Sequence, residues 1–302
     1  MPRYDYWANA ANGNQLIQLQ RNEFFTKCLL PDIRSGLVFP AFRKTDIDFY
    51  YLGRKVCSWG TGTFKTNIAY LAAFQNRPEG EVTEAEFSQL VVCRSFRDAY
   101  SQIKSHISLY EQPESGEVAR LLKDHSCFKT SNSGPIVVLD IELSLKALDE
   151  GRKQDRIDLV LFHLKEKRIR FVEVKMFENK EIWPTPEGKV AITGQIARYK
   201  RQRDQNCNEL TQSYCQYVCL LRDLFGTKLP EPEAIDENVD LLITGFDTPQ
   251  LQILQKKLLP AFGKTFRTSL RGSLSGASQG TLAKWWKKRL PPQSEDESLQ
   301  DV

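Results

Sequence analysis

Two short stretches of the sequence decide its fold: RIDLVLF at residues 156–162 and RFVEVK at residues 170–175. Both stretches are rich in β-branched and aromatic residues, and the charged run KEKR at residues 165–168 lies between them, so the pattern predicts a β-hairpin. Apolar residues occupy both faces of each strand, which is typical of a buried central strand. The sequence therefore predicts two neighbouring strands inside a covered sheet.

Three charged residues interrupt these apolar strands: Asp158, Glu173 and Lys175. Side chains alternate along a strand, so Glu173 and Lys175 share one face. If the register brings Asp158 beside them, two carboxylates meet that repel each other unless a divalent cation lies between them, and Mg²⁺ prefers such oxygen ligands. A nearby lysine can act on a metal-held water or on charge at a phosphate. The alternative is a surface hairpin with solvated charges, but burial makes unpaired charges costly and favours a functional site.

This combination resembles the PD-(D/E)xK nuclease superfamily, whose signature is an acidic residue, a short spacer and a (D/E)-x-K strand. Asp158 corresponds to the acidic residue and Glu173-Val174-Lys175 to the tripeptide, while Ile157 stands where the eponymous proline would be. The resemblance implies a metal-dependent nuclease that hydrolyses DNA phosphodiester bonds. It also implies Mg²⁺ as the cofactor, with Mn²⁺ able to substitute, Asp158 and Glu173 as metal ligands, and Lys175 as a catalytic residue.

A second motif follows the tripeptide strand. Gln195 and Tyr199 are four residues apart in a segment of helical character and therefore share one helix face. RecB-type members of the superfamily carry Q-x-x-x-Y on this helix, and the resemblance implies that the pair supports the metal site and contacts the substrate backbone. The alternative is a pair bonded to nearby backbone. On the same helix Arg198, Lys200 and Arg201 are candidate phosphate contacts, or a solvated face.

The surrounding sequence fits an α-β-β-β-α-β core of the α/β (α+β) class. The resemblance implies a restriction-endonuclease-like fold over residues 111–262, with a mixed central sheet flanked by helices. The periodicity predicts the other elements as a helix at 114–122, a strand at 136–145, a helix continuing to about 225, a strand at 239–246 and a closing helix at 249–259.

Members of the superfamily often add a further acidic residue upstream of the aspartate. Glu117 and Glu142 are the two candidates. Asp140 shares a predicted strand face with Glu142. Glu142 is preferred as a third metal ligand because it lies in an apolar strand, whereas Glu117 is explained equally well by the preference of acidic residues for a helix N-terminus.

The sequence of residues 1–110 predicts an N-terminal α+β domain, or an elaboration of the core, whose role is unknown. Thr83 and Glu86 form a capping-box pattern that opens a helix predicted to run to about Tyr110. The stretch GTGTFKT at residues 60–66 superficially resembles a phosphate-binding loop but lacks the G-x-x-x-x-G-K-[ST] spacing, and is predicted to be a turn. Strand-like patterns occur at residues 37–42, 48–59 and 65–74.

The composition of residues 263–302 predicts a linker and a tail. A Gly/Ser-rich linker at 269–280 is followed by a basic segment, KWWKKR at 284–289, and by an acidic, disordered end from 291. Aromatic rings beside basic side chains can stack on bases while neutralising phosphates. The candidate nucleic-acid contacts are Lys284, Trp285, Lys287 and Lys288. An equally supported alternative is a short docking helix that buries both tryptophans.

Composition adds general bounds. The chain has 302 residues, of which 41% are hydrophobic and 26% charged, and its net charge of +4 neither demands nor excludes nucleic acid. Seven cysteines without a C-x-x-C pair argue against a disulfide framework. Some RecB-type nucleases hold an iron–sulfur cluster, but Cys207, Cys215 and Cys219 are too widely spaced, so no cluster is expected. Three histidines give little support to a histidine metal site.

The sequence has no long apolar run and no charged-then-apolar leader, so a cytoplasmic protein without a membrane partner is expected. By analogy with stand-alone RecB-like chains, the expected setting is DNA repair, mobile elements or antiviral defence, with DNA as substrate and a helicase or other ATPase as a partner. The competing hypothesis is an inactive nuclease-fold subunit that binds nucleic acid or serves assembly. Retention of the Asp, Glu, Lys, Gln and Tyr set disfavours it, because burying those charges has a cost.

Overall fold

The computed structural model describes residues 7, 10–71, 80–88, 95–130, 134–145, 155–262 and 265–288. These residues form two five-stranded sheets and the helices packed against them, a mixed α+β architecture. Among these described residues, no helix is both long enough and apolar enough to cross a membrane. The predicted acidic end lies outside the described residues.

The first sheet is an antiparallel meander with its strands in chain order. The sequence predicted one strand at residues 48–59, but the structure has a hairpin there. Leu52 and Gly53 both adopt positive φ, at 49° and 73°, which is the geometry of a tight two-residue hairpin turn. The strands are β1 (Val38–Phe42), β2 (Ile47–Tyr51), β3 (Arg54–Gly60), β4 (Thr63–Asn67) and β5 (Glu81–Thr83).

Helices before and after this sheet cover its apolar face, where Phe24 makes edge-on ring contacts with Phe64 and Phe96. The predicted capping box is confirmed: Glu86 N–H donates to Thr83 Oγ1 at 3.2 Å, and Thr83 N–H donates to Glu86 Oε2 at 2.9 Å. The helices are α1 (Ala10–Arg21), a π-helical turn (Phe25–Leu29), α2 (Leu30–Ser35), α3 (Glu84–Ser88) and α4 (Phe96–Ile107).

The helix predicted from residue 83 to about Tyr110 is wrong in being continuous, because a new helix, α4, begins at Phe96. Ser95 is extended, and its hydroxyl caps α4 by accepting the Asp98 N–H. A serine in that role starts a helix, because its side chain replaces a missing helical partner.

The second sheet is mixed and has the strand order β10-β9-β8-β7-β6. Its first three strands along the chain pair antiparallel, and the last two join in parallel. The predicted hairpin at residues 156–175 is confirmed, with Leu159 opposite Val172. The strands are β6 (Ile136–Ser144), β7 (Arg156–His163), β8 (Arg168–Met176), β9 (Ala234–Thr244) and β10 (Thr268–Leu270).

The predicted order of helix, three strands, helical region and strand is confirmed along the second sheet. The helical region consists of two consecutive helices, and the predicted closing helix contains a π-helical turn. The helices are α5 (Pro113–His125), α6 (Ala191–Gln205), α7 (Cys207–Phe225), α8 (Thr248–Ile253), which continues through the π-helical turn Leu254–Leu258 into α9 (Leu259–Ala261), and α10 (Gln279–Lys287).

The linker predicted at residues 269–280 is wrong at its start. Thr268–Leu270 is a strand that pairs in parallel with Leu241–Ile243, so the sheet continues past the predicted boundary at residue 262. The short segment has no apolar periodicity of its own. Pairing with a buried neighbour supplies the hydrogen bonds that make it a strand.

The first sheet contacts α5 through the turn of the β2–β3 hairpin. A Cβ placed on Gly53 would lie 2.4 Å from the Ser115 carbonyl oxygen and 2.6 Å from the Ser115 Cβ. Glu114 precedes Ser115 in the first turn of α5. The close approach at Gly53 therefore fixes where the first turn of α5, and with it Glu114, lies.

We expect Gly53→Ala to lower the free energy of unfolding more than Gly188→Ala does. Gly188 has nearly the same φ, 75°, but no atom lies within 4 Å of the position that a Cβ would take there, so its substitution reports backbone strain alone, about 1–2 kcal/mol. Gly53→Ala adds the clash with Ser115. Urea denaturation of both variants measures the difference, and equal losses would show that the contact with α5 is unimportant.

Candidate active site

An open cavity of about 490 Å³ lies at the end of the second sheet where β8 finishes. The hairpin β7–β8 supplies its floor, α6 one wall, and the first turn of α5 another. The cavity brings together the five residues that the motifs predicted as catalytic. The lining residues are Glu114, Ser144, Asp155, Arg156, Asp158, Glu173, Lys175, Gln195 and Tyr199.

Two carboxyl groups, the buried Glu173 and the half-buried Asp158, form the centre of this cavity. Asp158 Oδ2 accepts the Val174 N–H at 2.8 Å, which anchors the aspartate of β7 to the neighbouring strand. Burial, and then the charge of Glu173, raises the pKa of Asp158 well above its usual range. Burial likewise raises the pKa of Glu173 to about 7. Ionising both Asp158 and Glu173 is therefore unfavourable unless a cation lies close to them.

Lys175 lies against this pair from the same face of β8. Its Nζ is 2.9 Å from Glu173 Oε1 and 3.0 Å from Glu181 Oε2. Burial alone would lower the pKa of Lys175, but the neighbouring Glu173 carboxylate raises it above its usual value. The side chain is therefore an ammonium ion at neutral pH.

Gln195 and Tyr199 join α6 to the two central strands. Gln195 Nε2 donates to Glu173 Oε1 at 2.8 Å and to the Tyr199 hydroxyl at 2.5 Å. That hydroxyl donates in turn to the Arg156 carbonyl oxygen at 2.8 Å. The amide and the phenol position the Glu173 carboxylate without adding charge.

The basic residues predicted on α6 lie on its outer side. Arg198 Nη2 is 3.4 Å from Asp155 Oδ1, at the rim of the cavity. Lys200 and Arg201 are exposed and do not line the cavity. The helix therefore presents one paired and two solvated cations close to the site.

Neither candidate for the additional acidic residue lies in this cavity. Glu117 is buried elsewhere, where it accepts the Leu274 N–H and forms an ion pair with Arg120. Glu142 lines an adjoining cavity, and its Oε2 lies 2.5 Å from Arg156 Nε. Asp140, predicted to share the face of Glu142, is fully buried and accepts the Ile141 N–H.

The acidic residue that the sequence analysis missed is Glu114. It lines the cavity from the first turn of α5, and its charge raises the pKa of both Asp158 and Glu173 after their burial has done so. Asn179 Nδ2 donates to its carboxylate at 3.5 Å. In the sequence, Glu114 follows Pro113 at the start of a helix, where an acidic residue is explained by its preference for the helix N-terminus. Only the tertiary structure shows that Glu114 lines the cavity.

The C-terminal candidates lie away from this cavity, on α10. Trp286 is buried and its indole N–H donates to Glu166 at 2.8 Å. Trp285 is half-buried against the core. The docking-helix alternative is thus the one the structure supports for the tryptophans. The lysines Lys284, Lys287 and Lys288 keep exposed side chains, and the last of them donates to the Thr268 carbonyl oxygen.

The donor set fits a hard divalent cation bound by few protein ligands. Among the described residues there is no group of three or more His, Cys, Asp or Glu side chains with metal-site geometry. Mg²⁺, however, is commonly bound by one or two carboxylates and keeps several waters. Asp158 and Glu173 supply such a pair, and Glu173 Oε2 is buried without a hydrogen-bond partner among the described residues. A buried, unpartnered carboxylate oxygen is where a cation would be stabilising.

No protein-family model matches the chain, and no curated protein or solved structure matches it. Function is therefore inferred from the side chains that meet in the cavity.

We expect Mg²⁺ to raise the melting temperature more at about pH 8 than at about pH 5. The pKa of Glu173 is raised from 4.5 to about 7, so across that window the native state holds a proton that the unfolded state has released. The free energy of unfolding without metal therefore falls as pH rises through the window. Mg²⁺ needs the ionised carboxylates, and it stabilises by about 2.7 kcal/mol at a hundred times its dissociation constant.

Thermal unfolding with and without Mg²⁺ at the two pH values measures this effect. Glu173→Gln is the control, because it keeps the shape of the side chain but cannot bind the cation as a carboxylate does. Equal stabilisation at both pH values, or stabilisation that persists in Glu173→Gln, would place the metal elsewhere.

Proposed function

We propose that this protein is a metal-dependent nuclease that hydrolyses DNA phosphodiester bonds, with a restriction-endonuclease-like core of the PD-(D/E)xK type. One observation carries the proposal. Asp158, Glu173, Lys175, Gln195 and Tyr199 come from three separate elements and meet in one open cavity, with the Glu173 carboxylate at their centre. A purely structural hairpin gains nothing from burying these charges together.

The proposed ligands for Mg²⁺ are Asp158 and Glu173, and Glu114 lines the same cavity. A bound Mg²⁺ supplies Lewis-acid stabilisation of the phosphate and lowers the pKa of its water. Gln195 and Tyr199 hold Glu173 in position. Because carboxylates outnumber cations in the lining, a polyanionic substrate needs that added positive charge to enter.

Lys175 has a narrower role than a general base. Its pKa is raised, so it remains an ammonium ion and cannot accept a proton from water at neutral pH. It can donate hydrogen bonds to the attacking water or to a phosphate oxygen as negative charge develops there. Its contact with Glu173 fixes its position for that task.

DNA is the proposed substrate, with Arg198, Lys200 and Arg201 available beside the cavity for backbone phosphates. A helicase or other ATPase as a partner, and a setting in antiviral defence, mobile elements or repair, are proposed by analogy alone. The same applies to a cytoplasmic location.

A cleavage assay on the purified protein tests the proposal. We expect plasmid and linear DNA to be cut with Mg²⁺ or Mn²⁺ and to stay intact with excess EDTA. Asp158→Asn should remove cleavage, whereas Asp223→Asn, an exposed aspartate on α7 with the same change of charge, should keep it. Cleavage that survives in EDTA or in Asp158→Asn would exclude this site as the source of activity.

A further inference from the structure

Arg156 occupies the boundary between two cavities. It lines the catalytic cavity and also an adjoining cavity of about 120 Å³, which lies between the β2–β3 hairpin, the start of α5 and β6. The two cavities share Glu114, Arg156 and Asp158. The Arg156 side chain is 63% exposed, so its guanidinium is accessible to a ligand in either one.

Glu142 contacts this guanidinium through its Nε. Arg156 Nε is 2.5 Å from Glu142 Oε2, and this is the one ion pair found for the guanidinium among the described residues. The two Nη groups form a planar pair of donors at the end of the guanidinium. A planar donor pair of this kind matches two oxygens of one phosphate.

The backbone that carries Glu142 is unusual and is braced by the first sheet. Glu142 has a φ of 52°, an uncommon value for a residue other than glycine, and a register shift occurs earlier in the same strand, between Val138 and Asp140. Arg43 Nη1 donates to the carbonyl oxygens of Ile141 and Glu142, both at 3.3 Å. Arg43 is itself held by Asp48 at 3.1 Å. Strain of this kind persists only where the surroundings enforce it.

Among the charged residues that line the catalytic cavity, Arg156 is the cation that solvent and substrate can reach. The lining contains four carboxylates and two cations, Arg156 and Lys175. Lys175 is buried and already contacts two carboxylates. A substrate phosphate entering from solvent therefore meets Arg156 as the exposed positive charge of the lining.

We propose that Arg156 binds a DNA phosphate next to the scissile one, and that Glu142 is a positioning residue for Arg156 and not a metal ligand. This rests on the proposed nuclease function. Through Arg43, the first sheet then takes part in substrate positioning by bracing the backbone at Glu142.

DNA binding tests the phosphate contact directly. Fluorescence anisotropy of a labelled duplex is measured with Ca²⁺ in place of Mg²⁺, and a gel shows that the DNA stays intact. We expect Arg156→Ala to weaken binding about tenfold, the effect of losing one charge-assisted hydrogen-bond pair. The log–log salt slope should fall by roughly 0.7–0.9 units, as for one phosphate contact. Arg156→Lys should restore the slope but only part of the affinity, because an ammonium lacks the planar donor pair.

Arg168→Ala is the matched control, since it removes one exposed arginine from the opposite end of β8. It should leave both affinity and salt slope unchanged. In cleavage assays Arg156→Ala should raise KM about tenfold with little change in kcat, because binding energy is lost equally from ground and transition states.

The outcomes separate this proposal from the nuclease proposal. If wild type cleaves and Arg156→Ala binds DNA like Arg168→Ala, the phosphate role is wrong and the nuclease function stands. If wild type binds DNA without cleaving it and Arg156→Ala loses affinity, the phosphate role stands and the nuclease function is wrong. If wild type neither binds nor cleaves DNA, both are wrong.

Glu142→Gln tests the second half of the proposal. The Mg²⁺ concentration that gives half-maximal cleavage should be the same as in wild type, because Glu142 does not hold the metal. A large increase in that concentration would make Glu142 a ligand and overturn its positioning role.

Discussion

We expect Lys175→Ala to remove nearly all Mg²⁺-dependent cleavage while the protein stays folded and binds DNA. In the proposed mechanism the ammonium group is the donor that stabilises charge on the reacting water or phosphate, and such groups contribute about 10²–10⁴-fold to rates. Its loss also removes the partner that most lowers the pKa of the buried Glu173 carboxylate. Single-turnover cleavage rates are measured at about pH 8 with saturating Mg²⁺. These conditions favour the ionised Glu173 in both wild type and Lys175→Ala, so the two rates differ only through the effect of the substitution on the chemical step.

Lys180→Ala is the control for this substitution. Lys180 is exposed, five residues further along the chain, and its removal changes the net charge by the same amount. It should cleave at the wild-type rate. Near-wild-type turnover by Lys175→Ala would exclude the lysine from the reaction and leave it as a structural partner of Glu173.

We expect Arg170→Ala to destabilise the protein by about 3–5 kcal/mol, the usual cost of removing one member of a buried ion pair. Arg170 forms buried ion pairs with Asp236 at 2.7 Å and Asp240 at 3.4 Å. It also donates to the Trp286 carbonyl oxygen at 3.0 Å and lies 4.1 Å from the centre of the Trp286 ring. Arg267 remains as the second cation beside Asp236, 2.9 Å away. Urea denaturation gives the difference in the free energy of unfolding.

Arg168→Ala is the matched control for stability, because it removes an exposed arginine two residues earlier on the same face of β8. It should change the free energy of unfolding by less than about 0.5 kcal/mol, as surface substitutions do. If Arg170→Ala were equally mild, the buried network would not be what holds α10 against the sheet.

The β7–β8 hairpin could be predicted from the sequence because two local signals agree there. Runs rich in apolar and β-branched residues set the strands, and a charged turn of suitable length sets the hairpin. Once the pairing register of β7 with β8 is correct, Asp158 must lie beside the strand that carries Glu173. The spacing of Gln195 and Tyr199 on a helix face is equally local, so their common direction followed from helix geometry.

Glu114 and Glu142 could not be assigned correctly from the sequence. Glu114 reaches the cavity because α5 is placed by the contact between Gly53 and Ser115, a long-range packing effect. Glu142 was preferred because it lies in an apolar strand, but its carboxylate lies beside Arg156 Nε and does not line the cavity that holds Glu173 and Lys175. Its φ of 52° departs from regular strand geometry, and the sequence of β6 shows no glycine to signal such a position.

In the C-terminal part the sequence analysis missed the strand Thr268–Leu270 and left two alternatives open for the tryptophans of α10, a stacking surface for bases or a docking helix. Both segments acquire their structure from partners far away in the chain. The apolar indoles, placed among lysines, fit either alternative. Their position beside Arg170 is decided by a buried cation on β8, which no local pattern reveals.

The contact between Arg170 and Trp286 also has a consequence for the order of events during synthesis. The two residues are 116 positions apart, so a ribosome adding about 5–20 residues per second needs roughly 6–23 s to pass from one to the other. During that interval β8 carries its buried arginine without the helix that completes its contacts. The strand that bears Glu173 and Lys175 therefore becomes fully packed only late in translation.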